Sequence, residues 1–79
     1  MDIKEEVISL LSEKLAFDEA EITEDKDLMN DLGIDSLDMA EIVMGVEEKF
    51  GLKVDDSETV EIKTVGDLIK KVEELVENG

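Results

Sequence analysis

Ser36 is the residue most open to a chemical role, and it lies between Asp35 and Asp38 at the predicted start of a helix. A nucleophilic serine needs a base, usually His or Lys held in place by a third group. The chain has no histidine, and no G-x-S-x-G turn surrounds this serine. The flanking carboxylates would also oppose an oxyanion rather than stabilise it. The sequence therefore argues against a hydrolase.

A covalent modification is the other chemistry that Ser36 could support. Asp35 fits the N-cap position of the helix and Asp38 fits position N3, which would define the first turn tightly. A phosphodiester on Ser36 would lie where the helix dipole favours negative charge. These residues alone are equally compatible with an ordinary first helical residue, so this pattern by itself leaves the question open.

A calcium site is the third chemistry, suggested by the acids in "DKDLMNDLGID", residues 25–35. The EF-hand loop needs D-x-[DN]-x-[DN]-G. Counting from Asp25 places Met29 at the fifth position, and counting from Asp31 places Gly33 at the third. No register fits, so we expect weak, diffuse cation binding and no specific metal site.

Composition restricts the partners. Eight basic residues stand against 24 acidic ones in 79 residues, a net charge of −16. Such a surface repels nucleic acid and anionic membranes and favours basic proteins and divalent cations. The absence of cysteine excludes disulfides and thiolate zinc sites. The charged, amphipathic N-terminus does not resemble a signal peptide, and no stretch is long enough to span a membrane, so we expect a cytoplasmic monomer.

Helical periodicity predicts the elements that position Ser36. Residues 3–15 carry one apolar stripe with Asp2 as N-cap, and residues 36–50 form a second helix that ends at Gly51. Ser57 is predicted to cap one short helical turn. A last helix follows the capping-box pair Thr64 and Asp67. Its predicted buried stripe consists of Val65, Leu68, Ile69, Val72, Leu75 and Val76.

Residues 16–34 lack a clean period and are predicted to form a long loop. The side chains expected to attach this loop to the core are Ile22, Leu28, Met29, Leu32 and Ile34. The predicted fold is therefore all-α: a small bundle of three main helices plus one short helix, with a long loop between the first and second helices. We expect one domain over residues 1–79.

The second helix has two apolar faces at about 100° per residue. One face is the expected core stripe of Met39, Ile42, Val43, Val46 and Phe50. Leu37 and Met44 lie opposite, beside Ala40 and among acids. One helix of a small bundle cannot easily bury both faces, so the second is expected to be partly exposed. It is either a docking surface or a set of scattered surface hydrophobes.

A resemblance to a known family favours the modification. The segment "LGIDSLDMAEIVMGVEEKFGLKV", residues 32–54, resembles the acyl carrier protein family in its D-S-L core, the preceding L-G and the following V-M and acidic pair. Length, acidity and helix layout also match, so the resemblance covers essentially the whole chain. The chain departs from many bacterial members at "KVDDSE", where those have a proline before the short helix. Ala40 also replaces a common valine.

The resemblance implies a role for Ser36 and its helix. In the family this serine carries 4′-phosphopantetheine, added from coenzyme A by a phosphopantetheinyl transferase, and the arm's thiol holds acyl groups as thioesters. The helix is the family's recognition helix for basic patches on fatty acid synthesis enzymes and acyltransferases. The implied docking residues are Asp35, Leu37, Asp38, Ala40, Glu41, Met44, Glu47 and Glu48. The family also shelters its acyl chain between helices, and the candidates on inward stripes are Val7, Val46, Phe50, Ile62 and Leu68.

The predicted function is therefore a non-catalytic carrier of growing acyl chains in type II fatty acid synthesis. One alternative is a carrier of another pathway, such as polyketide, aminoacyl or D-alanyl transfer. From a different class, the alternative is an acidic calcium-responsive binding protein.

Overall fold

Four α-helices form the architecture in the computed structural model, which describes residues 2–78. Three are long and the third in the chain is a single turn, and a 3₁₀ turn lies in the first connection. No strand of more than one bridged residue pair occurs within residues 2–78. The predicted all-α fold class is confirmed. The helices are α1 (Ile3–Leu15), α2 (Ser36–Phe50), α3 (Asp56–Thr59) and α4 (Val65–Asn78), and the 3₁₀ turn is Glu19–Glu21.

The helix ends largely follow the predicted capping residues. The Asp2 carboxylate accepts from the Glu5 N–H at 3.3 Å and starts α1. Gly51 ends α2 at φ 64°, a left-handed conformation that glycine adopts without steric cost. Thr64 and Asp67 form the predicted capping box before α4, because each side chain accepts from the other's backbone N–H at 3.1 Å. Ala16 ends α1 at φ 59°, a left-handed conformation that is unusual for a residue other than glycine and that was not predicted.

Aliphatic side chains fill the core between α1, α2, α4 and the first connection. Helix residues at the centre of this core are fully buried: Val7, Leu11 and Ile42 are 0% exposed. Four of the five loop residues expected to attach the long connection are buried with them, which confirms that part of the prediction. Those four are Ile22, Leu28, Leu32 and Ile34.

Backbone hydrogen bonds also hold the long connection against the segment before α4. The Leu28 N–H donates to the Lys63 carbonyl at 2.9 Å, beside an isolated antiparallel bridge between Asp27 and Thr64. The Gly66 N–H donates to the Glu24 carbonyl at 2.9 Å. A Cβ on Gly66 would lie 3.2 Å from that oxygen, so this close approach favours glycine. The long connection and the segment before α4 are thereby fixed to each other.

The sequence predictions are wrong for some residues that were expected to be buried. Met29 is 60% exposed, because its loop turns outward between the buried Leu28 and Leu32. In the last two turns of α4, beyond the buried Val72, Leu75 is half-buried and Val76 is exposed. Their helix extends past the core there.

The short helix begins two residues earlier than predicted. Ser57 lies inside α3, and Asp55 takes the N-cap position in its place. The reason is the Glu58 carboxylate, which accepts from the Asp55 N–H at 3.0 Å and so sets the start of the turn.

No helix within the described residues is both long enough and apolar enough to cross a bilayer.

Candidate functional site

Ser36 is the first residue of α2, and two carboxylates fix the turn around it. The Asp38 N–H donates to Asp35 Oδ1 at 2.8 Å, and the Asp35 N–H donates to Asp38 Oδ2 at 3.3 Å. This is the capping box that the sequence predicts. The Ser36 side chain itself is exposed, and none of the side-chain hydrogen bonds among the described residues uses its hydroxyl. The serine is held at a defined position with its oxygen accessible.

The α2 helix presents three sectors to its surroundings rather than two. Ile42, Gly45 and Val46 are buried against the core. A second sector, formed by Leu37, Glu41 and Glu48, is exposed. Between these sectors, the remaining residues of one side line a cleft beside α3: Ser36, Met39, Ala40, Val43, Met44 and Glu47.

The cleft has a volume of about 790 Å³ and opens beside Ser36. This size lies within the usual range for small-molecule sites, about 300 to 1,000 Å³. Apolar side chains from three parts of the chain line it. They come from the long connection (Met29), from α2 (Met39, Ala40, Val43, Met44) and from the segment around α3 (Val54, Val60, Ile62). A flexible apolar chain attached near Ser36 could leave water by entering this space.

The wall formed by α3 is attached at its ends rather than along its length. None of the four α3 residues is buried. Before α3, the Glu47 carboxylate accepts from the Val54 N–H at 2.9 Å. After α3, Ile62 is buried, whereas Val60 is 76% exposed and does not anchor the helix to the core. The wall therefore has two fixed ends and few contacts between them.

A charged hydrogen-bond acceptor fixes the second end. Asp67 Oδ2 accepts from the backbone N–H groups of Lys63 and Thr64, each at 3.1 Å. These hydrogen bonds lower the pKa of the Asp67 carboxyl below its usual value. The bond from Lys63 has the larger effect and the bond from Thr64 the next. The charged form of Asp67 is therefore the one that fits this fold.

The residues predicted for docking lie around the mouth of the cleft and on the exposed sector. Leu37 is 73% exposed and Met44 60%, so the predicted second apolar face is partly exposed in the structure. Asp35, Ala40, Glu41 and Glu48 are exposed, and Asp38 and Glu47 are half-buried. Glu47 differs from the rest because its carboxylate already accepts the Val54 N–H.

Of the residues predicted to shelter an acyl chain, the structure places Ile62 in the cleft wall. Val7, Val46 and Leu68 are in the core at 0 to 2% exposure, and Phe50 is half-buried against it. These four do not line the cleft. Their role in sheltering an acyl chain stays a prediction that would need the cleft to deepen.

The sequence pattern missed several residues that line the cleft. Met39 and Val43 were assigned to the core stripe, and both are half-buried and line the cleft. Met39 does pack against the core, whereas Val43 lies at the edge of the stripe, toward the second face. That intermediate position was a usable signal. Met29, Val54 and Val60 gave none, because their place in the cleft depends on how the loop and α3 fold back beside α2.

Across the described residues, no group of three or more acidic side chains is arranged to hold a metal ion.

Comparisons with known proteins identify the family of this chain. The sequence model of a family described as "Phosphopantetheine attachment site" matches residues 5–72, which include Ser36. A curated acyl carrier protein of Thermotoga maritima is 47% identical over 72 residues, covering 91% of this chain and 89% of that protein. The chain belongs to the acyl carrier protein family. A second relative, an acyl carrier protein of Helicobacter pylori, is 38% identical over 74 residues, covering 94% and 95%.

A solved structure agrees as well. One described as an acyl carrier protein from Mycobacterium tuberculosis superimposes with a TM-score of 0.85 at 30% identity. It covers 90% of this chain and 95% of that chain.

Membership of the acyl carrier protein family implies a 4′-phosphopantetheine prosthetic group and acyl chains as its cargo. The residues of this structure fit such a group. Ser36 is exposed, it is fixed by Asp35 and Asp38, and it borders a cleft with an apolar wall. A phosphodiester there would face solvent, and a chain leading from it could turn inward beside Val43.

Proposed function

We propose that this chain carries growing acyl chains as thioesters on a 4′-phosphopantetheine arm attached to Ser36, and passes them between enzymes of fatty acid synthesis. The carrier unit is residues 1–79. The observation that carries the proposal is the position of Ser36, exposed at the start of α2 and on the edge of an apolar cleft.

Ser36 supplies the hydroxyl oxygen that forms the new P–O bond to the arm when a phosphopantetheinyl transferase transfers it from coenzyme A. The pyrophosphate bond of coenzyme A breaks, and adenosine 3′,5′-bisphosphate and the serine proton leave. When bound, the arm supplies a terminal thiol that holds acyl groups as thioesters. Asp35 and Asp38 keep the serine at a fixed place and orientation for the transferase. The chain performs no catalysis itself, and its partner enzymes supply the reacting groups.

The cleft between α2 and α3 shelters the acyl chain during transport. Val43 and Ile62 stand on opposite walls of this cleft, on α2 and after α3. Burying each methylene in such a space contributes about 0.8 kcal/mol. Because α3 has no buried side chain, its wall can move to admit the chain with little loss of packing.

The exposed acids of α2 attract the basic docking patches of partner enzymes. A net charge of −16 steers such partners over a distance, and Leu37 and Met44 provide apolar contact once they arrive. The proposed partners are the transferase, fatty acid synthesis enzymes and acyltransferases. We propose a monomer that works in the cytoplasm, binds no nucleic acid and does not insert into membranes.

Intact mass tests the proposal. The purified protein is incubated with coenzyme A and a phosphopantetheinyl transferase, and a gain of one phosphopantetheine mass is expected. No gain, together with a saturable rise in melting temperature at micromolar calcium but not magnesium, would instead support an acidic calcium-responsive protein.

The pathway is tested on protein isolated from its native host. Fatty acyl groups on the arm are the expected species. Aminoacyl, D-alanyl or polyketide groups in their place would assign the chain to another pathway while leaving the carrier role intact.

A further inference from the structure

Lys63 is the single basic residue among the described residues that line the cleft. Three acids, Asp27, Glu47 and Asp56, line the same space. Lys63 is exposed, and no described carboxylate lies within 4 Å of its ammonium group. On a chain with a net charge of −16, a lysine at this place is open to an anion that is not part of the folded chain.

The backbone of Lys63 is fixed on both sides. Its N–H donates to Asp67 Oδ2 at 3.1 Å, and its carbonyl accepts from the Leu28 N–H at 2.9 Å. The Lys63 side chain can therefore change conformation while its backbone stays at a fixed place on the rim of the cleft.

Two successive hydrogen bonds connect that point to the segment before Ser36. Leu28 donates to the Lys63 carbonyl, and the Leu28 carbonyl in turn accepts from the Ile34 N–H at 2.9 Å. Lys63 and Ser36 also line the same cleft. Ser36 follows Ile34 by two residues. The four-carbon stem of lysine gives its charge a long reach from a fixed backbone.

A phosphodiester on Ser36 has the opposite charge to Lys63, and although the helix N-terminus favours it, the charged side chains beside it do not. Asp35 and Asp38 flank it, and both are acids. An ammonium group near the same cleft would offset that repulsion and would draw the phosphate side of the arm toward α3. Exposed ion pairs are weak, so the effect is on the position of the arm rather than on fold stability.

We propose that Lys63 binds the phosphodiester anion of the arm on Ser36 and so orients the arm along the cleft toward α3. This inference rests on the proposed function, since it takes Ser36 as the attachment site. It makes Lys63 a positioning residue for a prosthetic group rather than a docking residue for partner enzymes.

The test compares the loaded wild type with Lys63→Gln, Lys63→Arg and the control Lys53→Gln. Lys53 is exposed and near α3, but it does not line the cleft, and its substitution makes the same change in net charge. Each protein is loaded from coenzyme A, and its intact mass confirms one arm. The phosphorus NMR resonance is then recorded at low salt, together with the Lys63 side-chain resonances before and after loading.

We expect loading to shift the side-chain resonances of Lys63 in the wild type. Lys63→Gln should shift the phosphorus resonance, whereas Lys63→Arg and Lys53→Gln should leave it near its wild-type position. Added salt should remove the difference between wild type and Lys63→Gln, since exposed ion pairs are screened.

Two results would overturn the inference while leaving the proposed function standing. One is the same phosphorus resonance in loaded wild type and loaded Lys63→Gln. The other is an equal shift in Lys53→Gln, which would indicate a general charge effect. Failure of the wild type to load is a different result, since it would remove the proposed function first.

Discussion

The carboxylates of Asp35 and Asp38 each accept a hydrogen bond from the other residue's backbone N–H, at 2.8 and 3.3 Å. Ser36 and Leu37 lie between them. The pair closes the first turn of α2 and leaves the serine exposed. Acidic side chains at a helix start also interact favourably with the helix dipole. The same two residues thus stabilise the helix and present its first hydroxyl to an enzyme.

Asp35→Ala should lower the free energy of unfolding by about 1 kcal/mol, because it removes this N-cap. Urea denaturation followed by circular dichroism measures the change. Asp18→Ala is the matched control, since Asp18 precedes the 3₁₀ turn and makes no side-chain capping bond. Both variants remove one negative charge, so a general relief of repulsion affects them alike. Equal stability in the two variants would contradict the role assigned to Asp35.

Asp67 should give part of the acid sensitivity of the fold. Its backbone hydrogen bonds, that from Lys63 first, hold the pKa of its carboxyl below the unfolded value, which is about 3.9 for Asp. A depressed folded pKa contributes stability that is fully present above the unfolded value and is lost as pH falls through the folded one. The stability gap between wild type and Asp67→Asn should therefore be constant above about pH 5 and shrink below about pH 4.

Urea midpoints of Asp67→Asn and wild type across this pH range check the prediction. The asparagine retains an acceptor oxygen but cannot titrate, which makes it the suitable comparison. A gap that stays constant down to the lowest pH at which both fold would show that Asp67 is not protonated in the window.

Charge reversal on the exposed sector of α2 should slow partner binding. Glu41→Lys or Glu48→Lys should lower the association rate with the transferase, and added salt should have the same effect on the wild type. Glu73→Lys on α4 is the control, because it makes the same charge change on another exposed helix. Stopped-flow binding at several salt concentrations separates them. Equal slowing by Glu73→Lys would point to net charge alone.

An acyl chain in the cleft should raise the melting temperature with its length. The rise should continue until the cleft is full. Each buried methylene should add no more than about 0.8 kcal/mol to the free energy of unfolding. Val43→Phe fills part of the cleft and should reduce this gain, whereas Val76→Phe on α4 should preserve it. Differential scanning calorimetry of each acylated protein provides the measurement. A flat profile in the wild type would place the chain outside the cleft.

The sequence predicted the parts of the fold that depend on local pattern. The bounds of α1 and α2 follow from apolar periodicity and from the caps at Asp2, Asp35 and Gly51. Those residues act within one turn of the chain, so their effect can be read without the rest of the molecule. The resemblance around Ser36 added the prosthetic group, which the residue pattern by itself left open.

The features that the sequence did not predict depend on contacts between distant segments. Met29 and Val60 are exposed at the cleft because their segments fold back beside α2. The hydrogen bond from the Val54 N–H to Glu47 joins residues seven apart and fixes the start of the α3 wall. The Leu28–Lys63 pairing joins segments 35 positions apart. None of these contacts leaves a periodic trace in the chain.

The most direct test of the account is whether Ser36 alone accepts the arm. Wild type, Ser36→Ala and Ser57→Ala are each incubated with coenzyme A and a phosphopantetheinyl transferase, and tandem mass spectrometry locates any modified peptide. Ser57 is a suitable control because it is exposed and lies on α3 near the same cleft. We expect one modification, on Ser36, in wild type and Ser57→Ala, and none in Ser36→Ala. A modified Ser36→Ala protein, or an arm on any other residue of the wild type, would contradict it.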